Sequence, residues 1–223
     1  MHFFGFPAEI RVKIYRELLV LEEPIVFVAE RCGDAHLSPL LLSRRYELCP
    51  NLLRVNKKVH SEAITLLYSE NRFQFPNIIT SFAAYAHFAP FRNQIGSQAS
   101  LLRHICISIP GLDYLQLPYI EDRLRKRDIK NLDLIRDACT GLTTLEMSLD
   151  TRVYDGNAFM TPTTAETVDV LYRRFKEMPS RKDIIVDVRA YGVNRLRPDA
   201  AGRMREYGWT TRGTPGKRRC FRP

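Results

Sequence analysis

Apolar residues recur with a helical period at the start of the chain. Ile10, Ile14 and Leu18 stand at i, i+4 and i+8 behind Phe6-Pro7-Ala8-Glu9, where a proline at the helix entrance and an early glutamate are start signals. The pattern predicts a helix from Pro7 that ends before Glu22-Glu23-Pro24, and a short strand over 25–28. Residues 29–50 lose all periodicity and are punctuated by Gly33, Pro39 and Pro50, which predicts an irregular insertion. Beyond it Leu52, Val55, Val59, Ala63 and Leu66 return to helical spacing and predict one helix from Leu52 to Tyr68, ended by Asn71. Phe73 and Phe75 alternate as a strand does, and residues 78–88 are expected to be helical.

The period changes after residue 100. Leu102-Arg-His-Ile105-Cys-Ile107 and Leu142-Thr-Thr-Leu145-Glu-Met147 repeat Leu-x-x-Leu-x-Leu, with conservative swaps, at a distance of forty residues. A third strand, Ile184-Ile-Val186-Asp-Val188, follows Leu145 by thirty-nine residues, with Arg181 in the first leucine position. Helical sequence at 119–139, 164–178 and 197–207 lies between and after these strands. The expected fold is therefore α+β: a helical head over 1–90, and a small body of irregular leucine-rich-repeat-like βα units over 91–210. An ordinary α/β sheet with coincidental spacing stays open as the alternative.

The composition, with 45% hydrophobic and 26% charged residues, is that of a chain able to bury a core. No run of about 18 apolar residues predicts a membrane span, and residues 1–11 lack the basic and apolar regions of a signal peptide. Five cysteines at irregular spacing do not form a disulfide framework, and no Asn-x-Ser/Thr acceptor occurs. These features lead us to expect an intracellular protein, cytoplasmic or nuclear, with no membrane partner. The net charge of +9 is uneven. The segment from Arg203 to the end carries seven basic residues against Glu206 and holds +6 of it, leaving +3 on the other 202 residues. Residues 211–223, with Gly213, Pro215 and Gly216, are expected to be a flexible basic tail. Lys217, Arg218, Arg219 and Arg222 are its candidate contacts to nucleic acid or to the localisation machinery.

Enzyme signatures fail on inspection. Gly213-Thr-Pro-Gly216-Lys217 lacks the first glycine and the hydroxyl of a phosphate loop. Cys32, His36, Cys49 and His60 fit no common zinc spacing, His104 reads as a structural histidine within a strand, and no nucleophile elbow is present. The basic run Arg123–Arg127 stands beside Glu121-Asp122 without interleaved aromatics and reads as a solvated helix face. No enzyme, no metal and no cofactor is expected.

Two ordered motifs carry a family resemblance. Phe6-Pro7-Ala8-Glu9-Ile10-Arg11-Val-Lys-Ile14-Tyr15-Arg-Glu-Leu18-Leu19 resembles the Leu-Pro-x-Glu-Ile-Arg-x-x-Ile-Tyr-x-x-Leu-Leu opening of fungal F-box-like proteins. The stretch Leu52-Leu53-Arg54-Val55-Asn56…Glu62-Ala63…Leu66-Leu67-Tyr68…Asn71-Arg-Phe73-Gln-Phe75 is similar to their second motif, and Leu102-Arg103-His104-Ile105 to their strand opening. The resemblance covers about residues 3–110 and departs at Phe6, where the family commonly has leucine. It implies a non-catalytic protein-interaction module, and beyond that a substrate receptor docked on the adaptor of a cullin-ring ubiquitin ligase. Phe6, Pro7, Ile10, Arg11 and Ile14 are then the candidate partner contacts. The alternative is a nuclear or nucleic-acid-associated protein acting through the basic tail.

Overall fold

A computed structural model describes residues 2–30, 40–42, 48–75, 83–84, 88–108, 126–150, 165–177, 185–191 and 198–213. Six α-helices and eight strands occur among them: α1 Ala8–Leu19, β1 Ile25–Glu30, β2 Leu40–Leu42, α2 Lys57–Glu70, β3 Arg72–Phe75, β4 Ala83–Ala84, α3 Phe88–Ile95, β5 His104–Ser108, α4 Lys126–Ala138, β6 Thr144–Asp150, α5 Ala165–Lys176, β7 Ile185–Tyr191, α6 Pro198–Glu206 and β8 Thr210–Gly213. Short 3-10 turns at Phe3–Gly5, Pro50–Arg54 and Gly96–Leu101 complete the set.

The strands form one sheet in the order β2-β1-β3-β5-β6-β7-β8, with β4 also on β1. Strands β1, β3, β5, β6, β7 and β8 are parallel to their neighbours, whereas β2 and β4 run antiparallel to β1. Each parallel strand follows a helix, so the chain is an array of six αβ units laid side by side in sequence order. Parallel neighbours need a long crossover, and a helix supplies it.

Alternation along the strands sorts the two faces of the sheet. Phe73, Ile105 and Leu145 are register partners, and Phe75, Ile107 and Met147 form the next row. All six are buried in one core with Leu132, Ile135, Val168, Leu171, Ala200 and Met204 from α4, α5 and α6. Burial of one face by helices is what the leucine-rich strand pattern requires.

The expected helices after residue 100 match α4, α5 and α6 within the described residues, and the strands match β5, β6 and β7. Other expectations need correction. The repeat step is forty residues from β5 to β6 but forty-one from β6 to β7, so Leu145 stands opposite Val186 and not opposite Ile184. The difference is two residues, an even step that keeps the alternation of the strand in phase; a step of one would have inverted it. Of the helix expected over 78–88, Ala83–Ala84 is strand β4 and Phe88 opens α3, while 78–82 and 85–87 lie outside the described residues. The stretch 29–50 contains β2 paired with β1, while 31–39 and 43–47 lie outside the described residues. The single helix expected from Leu52 is broken: Pro50–Arg54 is a 3-10 turn, and Asn56 starts α2 by accepting a 2.9 Å hydrogen bond from the Val59 amide.

The sheet does not stop at residue 90, where a boundary between head and body was expected. β3 pairs with β5 directly, and Phe88 and Phe91 of α3 pack on Phe27, Phe73 and Phe75. Aromatic rings supplied from both sides of the expected boundary fill one core. Of the flexible tail expected over 211–223, residues 211–213 are strand, and 214–223 lie outside the described residues. Gly208 (φ +74°) ends α6 in the left-handed conformation glycine tolerates, and the Trp209 amide donates to the Met204 carbonyl at 2.9 Å. Trp209 thereby enters the core, and Thr210–Gly213 pairs with β7 as β8.

Candidate functional site

The N-terminal helices are joined by polar groups that the two sequence motifs supply. Arg11 of α1 donates from Nε and Nη2 to the Glu62 carboxylate of α2 at 2.9 and 2.7 Å, and from Nη1 to the Phe6 carbonyl at 2.6 Å. The Tyr15 hydroxyl donates to the same carboxylate at 3.1 Å. Five residues further along α1 and eight along α2, Arg16 pairs with Glu70 at 2.7 and 2.9 Å. Arg11 meets Glu62 and Arg16 meets Glu70, so α1 and α2 run in the same direction into the parallel strands β1 and β3. At their far end Asn71 is buried. Its Nδ2 donates to the carbonyls of Leu19 and Leu67 at 2.6 and 2.9 Å, and its Oδ1 accepts from the Leu21 amide at 2.9 Å. A single side-chain amide closes both helix ends (Leu19 ends α1 and Leu67 lies in the last turn of α2), which leaves neither of the two carbonyls nor the Leu21 amide orphaned.

Charge follows this geometry. The hydrogen bonds from Arg11 hold the Glu62 carboxyl below its ordinary value, and Arg16 does the same for Glu70. Burial, with the Glu62 hydrogen bond behind it, raises the Tyr15 hydroxyl.

A consequence is that the buried face of α1 is not the one its apolar period predicted. Arg11, Tyr15 and Leu19 are buried, and Tyr15 and Leu19 share a small core with Val59, Ala63 and Leu66. Ile10 and Ile14 remain 39% and 37% exposed, Pro7 is exposed, and Leu18 is half-buried. The physical reason is that Glu62 satisfies Arg11 and Tyr15, so these amphipathic side chains bury their apolar stems and rings at little polar cost.

Of the expected partner contacts, Pro7, Ile10 and Ile14 therefore line one exposed strip, while Phe6 is half-buried against Phe3 with ring centroids 6.4 Å apart. Arg11, 8% exposed, is engaged inside the protein and fixes the Phe6–Pro7 corner from which the strip starts. α2 covers the buried flank of α1. Lys217, Arg218, Arg219 and Arg222 lie outside the described residues.

The rest of the sequence candidates have local roles. Nε2 of His104 lies 3.1 Å from Oε2 of Glu146, whose side chain is nearly fully buried, so the histidine is a partnered strand residue. Arg103 ties β5 to β6: its carbonyl accepts from the Thr143 and Thr144 amides at 3.0 and 2.9 Å, and its guanidinium donates to the Gly141 carbonyl. A side chain at Gly141 would collide with the Ser100 carbonyl and with Arg103, which accounts for glycine there. His60 is exposed, and no three His, Cys, Asp or Glu side chains converge on a metal position among the described residues. No described helix is long and apolar enough to cross a membrane.

Sequence reasoning missed Glu62, Tyr15 and Asn71 as the groups that organise this end of the molecule. The signal was present, since a glutamate and an arginine in two helical motifs invite pairing, but helical period alone weighs apolar positions only. Compared with known proteins, the chain matches no family model, no curated protein and no solved structure.

Proposed function

We propose that the chain is a non-catalytic protein-interaction module. Its F-box-like N-terminal helices dock a protein partner, the adaptor subunit of a cullin-ring ubiquitin ligase. Its leucine-rich-repeat-like αβ units act as the rigid receptor body behind them. One observation carries the reading: Pro7, Ile10 and Ile14 form an exposed apolar strip on a helix whose adjoining flank is anchored by Arg11, Tyr15 and Leu19. Ile10 and Ile14 belong to neither buried core cluster and leave over a third of their surface open at i and i+4, which is what a helix-binding groove reads. The array of αβ units supports the receptor part of the reading. Sequential parallel strands backed by helices build a stiff scaffold whose terminal flank is free to bind.

The test pairs stability with binding. Ile10→Asp with Ile14→Asp changes two exposed positions, so the melting curve should match that of the wild type. Binding to the recombinant adaptor, measured by surface plasmon resonance, should weaken by about 2 kcal/mol or more, the size expected when anchor residues are lost. A wild-type chain that fails to bind the adaptor removes the ligase reading. A double variant that binds as well as wild type removes the strip as its site.

A further inference from the structure

The junction before α2 carries a second surface, separate from the strip on α1. Val55 is 65% exposed, more than any other large hydrophobic residue described. Its amide donates to the Leu52 carbonyl at 3.2 Å, and the next residue is the hydrogen-bonded cap Asn56, so the apolar side chain is held out on a fixed backbone. Arg54, Lys57 and Lys58 flank it, all exposed. Lys58 sets its ammonium 5.0 Å over the Phe4 ring. Arg54 and Lys57 have no ion-pair partner among the described residues, and the first turn of α2 contains no acid. Glu62, the nearest carboxylate along the helix, is engaged by Arg11 and Tyr15.

We infer that Arg54, Val55, Lys57 and Lys58 form a docking surface for an acidic protein segment in which carboxylates flank an apolar side chain. Charge complementarity sets the sign of the partner: Arg54 and Lys57, without ion-pair partners among the described residues, stand beside Lys58 over the Phe4 ring, and together they select an anion. Val55 sets its character, because an apolar knob inside a cationic ring gains nothing from a purely ionic ligand. Nucleic acid is the poorer fit. Base stacking needs an open aromatic face, and the Phe4 ring at this surface is half-buried and covered by Lys58. The cations also run against the helix dipole, whose positive pole prefers acids in the first turn. Their position therefore does not serve helix stability, and binding gives it a purpose.

The probe is a fluorescein-labelled peptide of Glu-Asp pairs alternating with leucine, titrated with the full chain and read by anisotropy. Two controls go with it: the same peptide with serine for leucine, and an oligonucleotide of equal charge. The leucine peptide should bind best. Arg54→Glu with Lys57→Glu should weaken it about tenfold or more, and Val55→Asp should do likewise. The charge reversal at Lys57 agrees with the helix dipole, so this variant should melt no lower than wild type, which separates lost binding from lost fold. Ile10→Asp with Ile14→Asp should bind the peptide as wild type does, which keeps this test independent of the adaptor test. The inference is overturned by failure of the wild type to bind the leucine peptide, by equal binding of the serine peptide, by tighter binding of the oligonucleotide, or by loss of binding in the Ile10/Ile14 variant.

Discussion

Arg11 and Glu62 meet across α1 and α2 through two hydrogen bonds, with the Tyr15 hydroxyl on the same carboxylate. Because the guanidinium holds Glu62 below the ordinary carboxylate value of 4.5, the folded state resists protonation there more than the unfolded chain does. The stabilisation is complete above pH 4.5 and is lost as the pH falls through the lower folded value. Glu70 beside Arg16 acts in the same direction. Glu62→Gln should therefore melt below wild type at neutral pH, and the two melting temperatures should converge in strong acid. A constant gap across a pH series of melting curves would mean that the ion pair is not the source of the difference.

Asn71 should be among the least replaceable polar residues. Asn71→Ala strands the carbonyls of Leu19 and Leu67 and the amide of Leu21 in a buried place. Unsatisfied buried groups cost about 1–3 kcal/mol each, less whatever water recovers, so a loss of about 2–4 kcal/mol in urea unfolding is expected. Asn71→Asp keeps the acceptor but turns a carboxylate toward two carbonyls, and it should be no better than alanine.

The rows on the helix-covered face of the sheet set the cost of truncation. Met147 is fully buried between β5 and β7, and Met147→Ala should destabilise by about 2–5 kcal/mol in the same assay. Thr65 is exposed on α2, and Thr65→Ala should change stability by no more than about 0.5 kcal/mol.

The C-terminal edge offers a pair of truncations. A chain ending at Trp209 loses β8, whereas one ending at Gly213 keeps it. The shorter chain should melt several degrees lower, and amide exchange in β7 should accelerate because its outer hydrogen-bonded neighbour is gone. Equal melting curves would show that β8 contributes nothing to the edge.

What the sequence revealed, and what it concealed, follows from the kind of signal involved. The strands at Ile105, Leu145 and Val186 were legible because alternating apolar residues on a helix-covered sheet leave a period of two, and their helices leave a period near 3.6. β8 was not, since Thr210–Gly213 offers no apolar alternation; its strand is imposed by Trp209 entering the core and by the open edge of β7. The face of α1 was misjudged because two polar side chains, Arg11 and Tyr15, bury where a partner on a distant helix satisfies them. No local pattern reports such a partner. Val55 was assigned to a helix interior because its spacing suits one, yet Asn56 captures the Val59 amide and starts the helix after it.

The order of the six parallel strands, which copies chain order, has a mechanical consequence. α1 stands near one edge of the array and β8 at the other, so a force applied between them acts along the series of units. No parallel strand is inserted between two earlier ones, so the β8 unit can detach without unthreading the next, whereas at the other end β4 returns to β1 and ties that unit to later chain. Extension should then proceed as a staircase of small releases from the β8 edge inward, each about one αβ unit long, rather than as one abrupt rupture. The same property lets the scaffold yield at one end while the other keeps hold of its load.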